Sequence, residues 1–337
     1  MRNPTRLLYT ALLAQIAQLN GVDNATLQFS ASPSVQQTLE TKMQESSDFL
    51  KAVNFYGVDE LKGQKVGIVM TSTIAGRTDT SGAGVRTPRN VADTESHDYE
   101  CHKTDFDTGI PYALLDAWAK FPDFQVRVRD AIIQRQALDR LLIGFNGTSA
   151  ANNTDRVANP LLQDVNIGWL QQYRTHAPAR VMTGGATAGT VKVGGAGADY
   201  NNLDALVYDV VSSLLDTWHQ KNPGLVVVLG RDLMHDKYFP LINNNQVPTE
   251  KLATDLIVSQ KRIGGLQAVQ VPYIPDDTLM VTDLKNLSLY YQTGGRRRFI
   301  REEPEKNRIA NYESSNDAYV VEDYGLGCVV ENITVAP

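Results

Sequence analysis

The sequence predicts an α+β protein, with helices in its first two thirds and short strands dominating its last third. Two long stretches carry apolar residues at helical spacing, and a glycine- and threonine-rich segment separates two extended runs. Several short β-rich pieces follow residue 268. Helices followed by an antiparallel meander are typical of the α+β class.

Length and composition limit what the protein can be. The chain has 337 residues, of which 42% are hydrophobic, enough for about two domains with real cores. Its apolar runs are only a few residues long, whereas roughly 20 are needed to cross a bilayer, so we expect a soluble protein without membrane contact. The net charge of -6, from 32 basic and 38 acidic side chains, argues against a protein that grips duplex nucleic acid.

The first segment is predicted to be a detachable amphipathic helix. Four apolar residues recur at helical spacing: Leu8, Leu12, Ile16 and Leu19. The alternative is a weak export signal, but Gln15 and Gln18 interrupt its apolar run, and Asn20-Gly21 supplies a helix stop. Residues 30–34 are small and polar, so we expect their backbone to be open to a protease.

Residues 63–107 predict a long β-ribbon with its tip at residues 76–84. A two-stranded ribbon is marginally stable alone, and this one has few large apolar side chains. We therefore expect the ribbon to lie on something other than its own domain.

Two long helices are predicted in the middle of the chain. The first begins at Pro122 and ends at Asn146-Gly147, which gives about 24 residues and a length near 36 Å. Its arginines lie largely off the apolar side: Arg127, Arg129, Arg135 and Arg140. The second helix extends from Leu203 to Trp218, with Asn201 as its cap.

The remaining segments are a loop and a series of strands. Residues 183–197 are rich in glycine and contain no aromatic residue, which predicts an exposed loop. The predicted strands are residues 225–229, 268–271, 279–282, 288–292, 297–301, 318–322 and 327–335.

No catalytic, cofactor or metal site is predicted. The glycine pairs lack phosphate-loop spacing, and no nucleophile elbow or zinc-protease motif is present. His97, Cys101 and His102 are a poor metal set, because neighbouring residues of a ribbon point to opposite faces. We expect Cys101 and Cys328 to stay reduced and to fill apolar space.

A dense charge block near residue 300 has two interpretations. It is either a solvated strand or turn, or a contact between subunits in which opposite charges fix the register. With the arginines near the ribbon tip, the candidate inter-subunit contacts are Arg77, Arg86, Arg89, Arg296, Arg297, Arg298, Glu302 and Glu303.

Several motifs together resemble those of one family. They are Met43–Leu50, Gly144–Gly147, Leu162–Val165, Gly168–Gln171, Ala177–Met182, Lys237–Pro240, Ser259–Gly264, Asn311–Ser314 and Tyr319–Tyr324. In this order, and over nearly the whole chain, they resemble the major capsid proteins of peduovirus-type tailed bacteriophages. The chain departs from this pattern in residues 183–197 and in an end soon after Val335.

The resemblance implies the Hong Kong 97 capsid fold and a structural role without enzymatic activity. The implied parts are an amino-terminal arm (1–52), an extended β-ribbon loop (53–110), a peripheral domain with a long spine helix (111–202), an axial domain (203–295) and a return to the peripheral domain (296–337). Many copies would assemble as hexamers and pentamers into the icosahedral head that encloses double-stranded DNA.

The resemblance also implies partners and processing. An internal scaffolding and protease protein would contact the face of Leu8, Leu12, Ile16 and Leu19, and a cut near Phe29, Ser30 and Ala31 would remove about residues 1–30. A portal protein would occupy one vertex, with assembly in the host cytoplasm and the virion as final location. No cofactor is implied, and because residues 66–102 contain no lysine, we expect no isopeptide cross-link between subunits.

Two alternatives remain open from the sequence. One is a shell subunit of a protein-storing nanocompartment with the same fold, and the other is a soluble α/β enzyme that uses the glycine-rich loops. If the chain forms a shell, we expect both its ribbon and its leading segment to find cover only on neighbouring copies.

Overall fold

The computed structural model describes residues 1–70, 75, 77–81, 85–86, 92–121, 123–235, 237 and 261–336. Its α-helices are α1 (Asn3–Asn20), α2 (Pro33–Glu45), α3 (Asp48–Ala52), α4 (Tyr112–Trp118), α5 (Phe124–Asn146), α6 (Trp169–His176) and α7 (Leu203–Leu214). Short 3₁₀ helices lie at Pro178–Arg180, Leu284–Asn286, Pro304–Lys306 and Tyr324–Leu326.

The strands are distributed along the described part of the chain. They are β1 (Phe29–Ser30), β2 (Asn54–Val58), β3 (Lys62–Met70), β4 (Ala92–Glu100), β5 (His102–Asp105), β6 (Thr108–Pro111), β7 (Val181–Met182), β8 (Val191–Val193), β9 (Leu225–Leu229), β10 (Arg262–Ile263), β11 (Leu266–Gln270), β12 (Leu279–Asp283), β13 (Leu287–Gln292), β14 (Arg297–Glu303), β15 (Arg308–Val321), β16 (Gly327–Val330) and β17 (Ile333–Val335). This mixture confirms the predicted α+β class.

The larger sheet is organised around β15. Within the described residues it has the order β1-β14-β15-β13-β2, and β5 and β6 also pair with β15. All of these pairings are antiparallel except that of β13 with β2, where Ser288 to Gln292 pair with Asn54 to Val58. The sheet therefore joins segments from both ends of the chain.

The second sheet is mixed, not the predicted antiparallel meander. Its order in the described part of the chain is β10-β11-β9-β12-β16-β7. β9 pairs in parallel with β11, and β16 in parallel with β7. The meander prediction was wrong because it paired strands by their order in the sequence. In the structure the earlier strand β9 lies between β11 and β12, and the earlier strand β7 lies beside β16.

The α5 helix is the longest helix of the described chain and has nearly its predicted bounds. It begins at Phe124 and ends at Asn146, and Pro122, where we expected its start, lies outside the described residues. Four side chains spaced four residues apart bury one side of it in the main core, which also contains residues of both sheets: Ile133, Ala137, Leu141 and Phe145. Such periodic burial is what fixes a long helix in a globular protein.

Two predictions about local structure need correction. The stretch 183–197 is not only a loop, because it contains β8, whose Val191 and Val193 are buried and which pairs with β17. The α7 helix ends at Leu214, since the backbone of Leu215 is extended. Its cap is Asn202, not Asn201, and the Asn202 Oδ1 accepts a hydrogen bond from the Ala205 N–H at 2.8 Å.

The predicted ribbon is present as β3 and β4, paired antiparallel from Lys62 and Glu100 to Met70 and Ala92. Parts of its tip at 76–84 lie outside the described residues. Its base contacts the chain itself, since the Tyr99 ring packs edge-on against Tyr290 at 5.2 Å. The Lys65 ammonium donates to the backbone oxygens of Val321 and Glu322.

Candidate functional site

The leading segment packs on its own chain. Tyr9, Ile16 and Ala17 of α1 are buried in one apolar cluster with side chains of the main body. The body contributes Leu115, Val128, Ile300 and Ile309. The expectation that this segment finds cover only on neighbouring copies was therefore wrong, because the apolar stripe of α1 has a matching surface within the same chain.

Polar contacts reinforce this docking. The Arg6 guanidinium donates to both carboxylate oxygens of Glu302 at 2.9 and 3.2 Å, and the Tyr112 hydroxyl donates to Oε1 of Glu302 at 2.8 Å. The hydrogen bond from Arg6 is the main reason that the pKa of Glu302 is lowered. The Arg2 backbone N–H donates to Asp116 at 2.9 Å. The helix is thus held by apolar packing and by charge-assisted hydrogen bonds.

The four residues of the candidate scaffold-contact face differ in their exposure to solvent. Ile16 is buried, Leu8 and Leu12 are half-buried, and Leu19 is 60% exposed. Leu7, which is not on the predicted face, is 74% exposed. Docking of α1 on the body therefore covers most of the stripe that the helical spacing identified.

The candidate cleavage region is a strand, not an open loop. Phe29 and Ser30 pair antiparallel with Arg298 and Arg297 at the edge of the larger sheet. The Ala31 N–H continues the pairing by donating to the Arg296 backbone oxygen at 2.9 Å. Phe29 and Ala31 are both buried. A protease that binds an extended substrate can reach this backbone only after β1 leaves the sheet edge.

Immediately after this strand, α2 is tied to the body by a buried ionic cluster. Arg140 of α5 is fully buried, and its guanidinium binds Glu40 of α2 and Asp317 of β15, the latter at 3.0 Å. Burial disfavours the charge of Arg140, but the carboxylates of Asp317 and Glu40 outweigh it, so the pKa of Arg140 is raised. The prediction that Arg140 lies off the buried side of the helix was wrong.

Arg296 is the second cation of this cluster. Its guanidinium donates to Glu313 at 2.8 Å, Glu40 at 2.8 Å and the Gln136 side-chain oxygen at 2.7 Å. Burial would raise the pKa of Glu313, but the charges of Arg296 and Arg298 outweigh burial and lower it to about 2. Since Arg296 is buried and paired within its own chain, it is not available as an inter-subunit contact, and that assignment is corrected.

The other residues of the charge block lie on β14, and most have partners in their own chain. Glu303 is buried and accepts hydrogen bonds from Arg301, Arg308 and Tyr312, and the bonds from these groups, that of Arg301 first, lower its pKa to about 2. Arg298 donates to Asn311 at 2.7 Å. Glu303 is therefore not a solvated residue, and its assignment as an inter-subunit contact is also wrong.

Some of the candidate inter-subunit contacts do lie on the surface. Arg297 is exposed on β14, and Arg77 and Arg86 are exposed near the ribbon tip. Arg89 lies outside the described residues. These positions remain candidates for contacts with other copies.

Glu40 and Gln136 were missed by sequence reasoning. Both are polar side chains on helices, where they are usually solvated, and their partners come from 100 or more residues away. The one available signal was Arg140 itself, which stands next to the apolar run Leu141 to Ile143 and is four residues beyond Gln136.

The described residues carry no feature of an enzyme site that we recognise. Cys101 and Cys328 are buried and unpaired, and burial raises the pKa of each thiol to about 12. Within the part of the chain that the structure describes, no three His, Cys, Asp or Glu side chains are grouped to hold a metal ion. None of the helices described there has the length and apolar character of a membrane span.

Comparison with solved structures identifies the fold. The chain is similar to the capsid protein of an empty GTA particle, with a TM-score of 0.54 and 15% identity over 86% of this chain and 90% of that one. At this identity the likeness concerns the fold alone, which is the Hong Kong 97 fold of phage major capsid proteins.

Sequence comparison then shows the family: the chain belongs to the P2 family of phage major capsid proteins, whose model matches residues 8–333. It is 50% identical over 343 residues to the "Capsid proteins" of Escherichia phage P2, covering 99% of this chain and 96% of that one. It is also 47% identical, with a TM-score of 0.82, to a chain of the satellite phage P4 procapsid that includes the size determination protein, covering 100% of this chain and 99% of that one. The predicted resemblance is confirmed, and the chain is a structural component of the phage virion, not an enzyme.

Proposed function

We propose that this chain assembles with itself as hexamers and pentamers that close into the icosahedral phage head around double-stranded DNA. The observation that carries the proposal is the similarity over the full chain to a subunit of the satellite phage P4 procapsid. A portal protein at one vertex and assembly in the host cytoplasm belong to the same proposal.

The two sheets suggest how the predicted domains divide. We assign most of the smaller sheet, together with α7, to the axial domain at 203–295. We assign β14 and β15 of the larger sheet, with α5 and α6, to the peripheral domain at 111–202 and 296–337. The other strands of that sheet come from the arm (β1), the ribbon loop (β2, β5 and most of β6) and residues 287–292 (β13). The ribbon loop at 53–110 would reach neighbouring copies through its exposed arginines Arg77 and Arg86, whereas the arm at 1–52 is held on its own chain by α1 and α2.

Microscopy tests the assembly proposal. The chain expressed with its scaffolding protein should give closed shells in negative stain and should elute at the void volume in size-exclusion chromatography. A small discrete oligomer under both methods would contradict it. Particles from infected cells should contain DNA, and cargo enzymes in its place would indicate a storage compartment.

We also propose scaffold-assisted assembly followed by proteolytic maturation. The helix α1 would engage the scaffolding and protease protein through Leu8, Leu12 and the exposed Leu19, whereas Ile16 becomes available only when α1 leaves the body. The protein would then be cut near Phe29, Ser30 and Ala31, after release of β1 from β14.

The first prediction concerns the mass of the mature subunit. Denatured coat protein from virions of a natural infection should lack about residues 1–30 in intact-mass spectrometry, because the proposed cut follows α1. Unprocessed procapsids, as the control, should contain the full chain. Full-length protein in mature virions would contradict the proposed maturation.

The second prediction concerns cross-linking. Mature particles boiled in detergent should migrate as one band at the subunit mass, because residues 66–102 contain no lysine and Lys65 is bound to backbone oxygens of its own chain. Arginines nearby stay protonated and are poor nucleophiles. A ladder of multiples on a denaturing gel would refute the absence of covalent links.

A further inference from the structure

The surface beneath α1 is an apolar groove. Its floor is made by Leu115 of α4, Val128 and Ile132 of α5, and Ile300 and Ile309 of the larger sheet. Tyr9 and Ile16 fill much of it, and a cavity of about 210 Å³ remains between the helix and this floor. The groove therefore has a helical ligand with a matching apolar stripe already seated in it.

Most of the contacts that hold α1 are made by residues that precede the candidate cleavage region. In addition, Phe29 lies in the same apolar cluster, and the Ser32 N–H donates to the Asn20 side-chain oxygen at 3.4 Å. Arg6 binds Glu302 at one end of the helix, and Ile16 and Ala17 are buried near the other end. Gly21 closes the helix in the left-handed conformation, with its N–H donating to the Gln18 oxygen at 3.2 Å. Ala25, in the connection that follows, is buried in the same apolar cluster.

We propose that this groove is a binding site for the chain's own leading segment, residues 1–28, which stays bound as a separate peptide after the backbone is cut. The inference rests on the proposed cleavage and extends it. Cutting at residues 29–31 removes a covalent connection and the short β1 pairing, but it leaves the groove contacts of Tyr9, Ile16, Ala17 and Ala25 in place. Loss of the peptide then requires its dissociation from the groove.

The physical reason is that the cut changes only the effective concentration of the helix. Before the cut the helix binds within its own chain. After the cut it binds as a separate peptide, and its occupancy depends on its dissociation constant and on the protein concentration. An amphipathic helix in an apolar groove is a stable recognition mode when its anchors recur at helical spacing, as Tyr9, Leu12, Leu13 and Ile16 do here.

An engineered cut tests the inference. The recognition sequence of a site-specific protease is inserted between the exposed residues Leu27 and Gln28 of the full-length, unassembled chain. After digestion at about 10 μM, native mass spectrometry and size-exclusion chromatography followed by denaturing mass analysis measure the fragment that remains. We expect residues 1–27 to co-elute with the body as a one-to-one complex.

Variants separate groove binding from nonspecific adhesion. Ile16→Ala removes a buried anchor and should weaken retention at least about tenfold. Leu12→Ala, at a half-buried position, should weaken it less. Leu7→Ala on the same helix is the matched control and should leave retention unchanged, because Leu7 is 74% exposed.

Three outcomes would overturn the inference. They are prompt loss of the wild-type fragment, equal loss from Ile16→Ala and Leu7→Ala, or retention only in a dimer whose copies exchange helices. Because the cut is engineered, these results do not depend on natural processing. Failure here leaves the proposed maturation standing, whereas full-length protein in virions would refute the maturation and leave groove binding intact.

Discussion

Arg140→Met is expected to destabilise the unassembled subunit by about 3–5 kcal/mol, the usual cost of removing one partner from a buried ionic cluster. Glu40 and Asp317 are buried with Arg140, so Asp317 would lose the arginine that it pairs with, and Glu40 would keep Arg296 alone of its two arginine partners. Methionine keeps much of the volume and the helix propensity of the position, so the effect reports the charge. Urea unfolding followed by circular dichroism gives the change in the free energy of unfolding.

The matched control for this prediction is Arg129→Met in the same helix. Arg129 is half-exposed and pairs with its neighbour Asp130, so the change should cost less than about 1 kcal/mol. A double variant, Arg140→Met with Glu40→Gln, should lose less than the sum of the two single changes because the residues share one network. Equal stability of Arg140→Met and Arg129→Met would refute the role of the cluster.

The cluster has a consequence for maturation. Glu40 lies in α2, directly after the candidate cleavage region, and it binds both Arg140 and Arg296 of the body. A cut at residues 29–31 therefore leaves the rest of the arm anchored by buried charges, which dissociate only at a high energetic cost. The part of the arm that precedes the cleavage region in the sequence is held by apolar packing, and the part that follows it is held by ion pairs.

Local sequence patterns predicted the elements that depend on local periodicity. The helix α5 and the buried strand β9 have regular apolar spacing or a short continuous apolar run, and both were placed within about two residues. The ribbon β3–β4 was recognisable from its flanking extended runs and its glycine-rich turn. In these segments the structure can be predicted from residues that are close together in the sequence.

The elements that were missed depend on partners far away in the sequence. The strand β15 extends over 14 residues because β14, β13, β5 and β6 all pair with it, and only its last part was predicted. The burial of Arg140 depends on Glu40, 100 residues earlier, and on Asp317, 177 residues later. The docking of α1 likewise depends on Ile300 and Ile309. No single-sequence pattern encodes such pairings.

Trp169→Ala is the other change with a large expected effect, again about 3–5 kcal/mol, because it removes a large buried side chain that the surroundings cannot replace. Trp169 is fully buried, and its ring packs edge-on against Tyr319 at 5.2 Å and Phe145 at 5.5 Å. Its indole N–H donates to the Ser288 backbone oxygen at 3.0 Å. One side chain thus joins α6, α5 and two strands of the larger sheet.

The close fit around this ring makes relaxation difficult. A Cβ atom on Gly144 would lie 2.4 Å from the Trp169 ring, so α5 and α6 approach each other there as closely as glycine permits. Trp169→Phe should recover part of the loss, since it keeps an aromatic ring but not the hydrogen bond. Trp218→Ala is the control, because Trp218 is half-exposed and its removal should cost under about 1 kcal/mol. Thermal and urea unfolding measure the stability of the three variants. Equal stability of Trp169→Ala and Trp218→Ala would contradict this account.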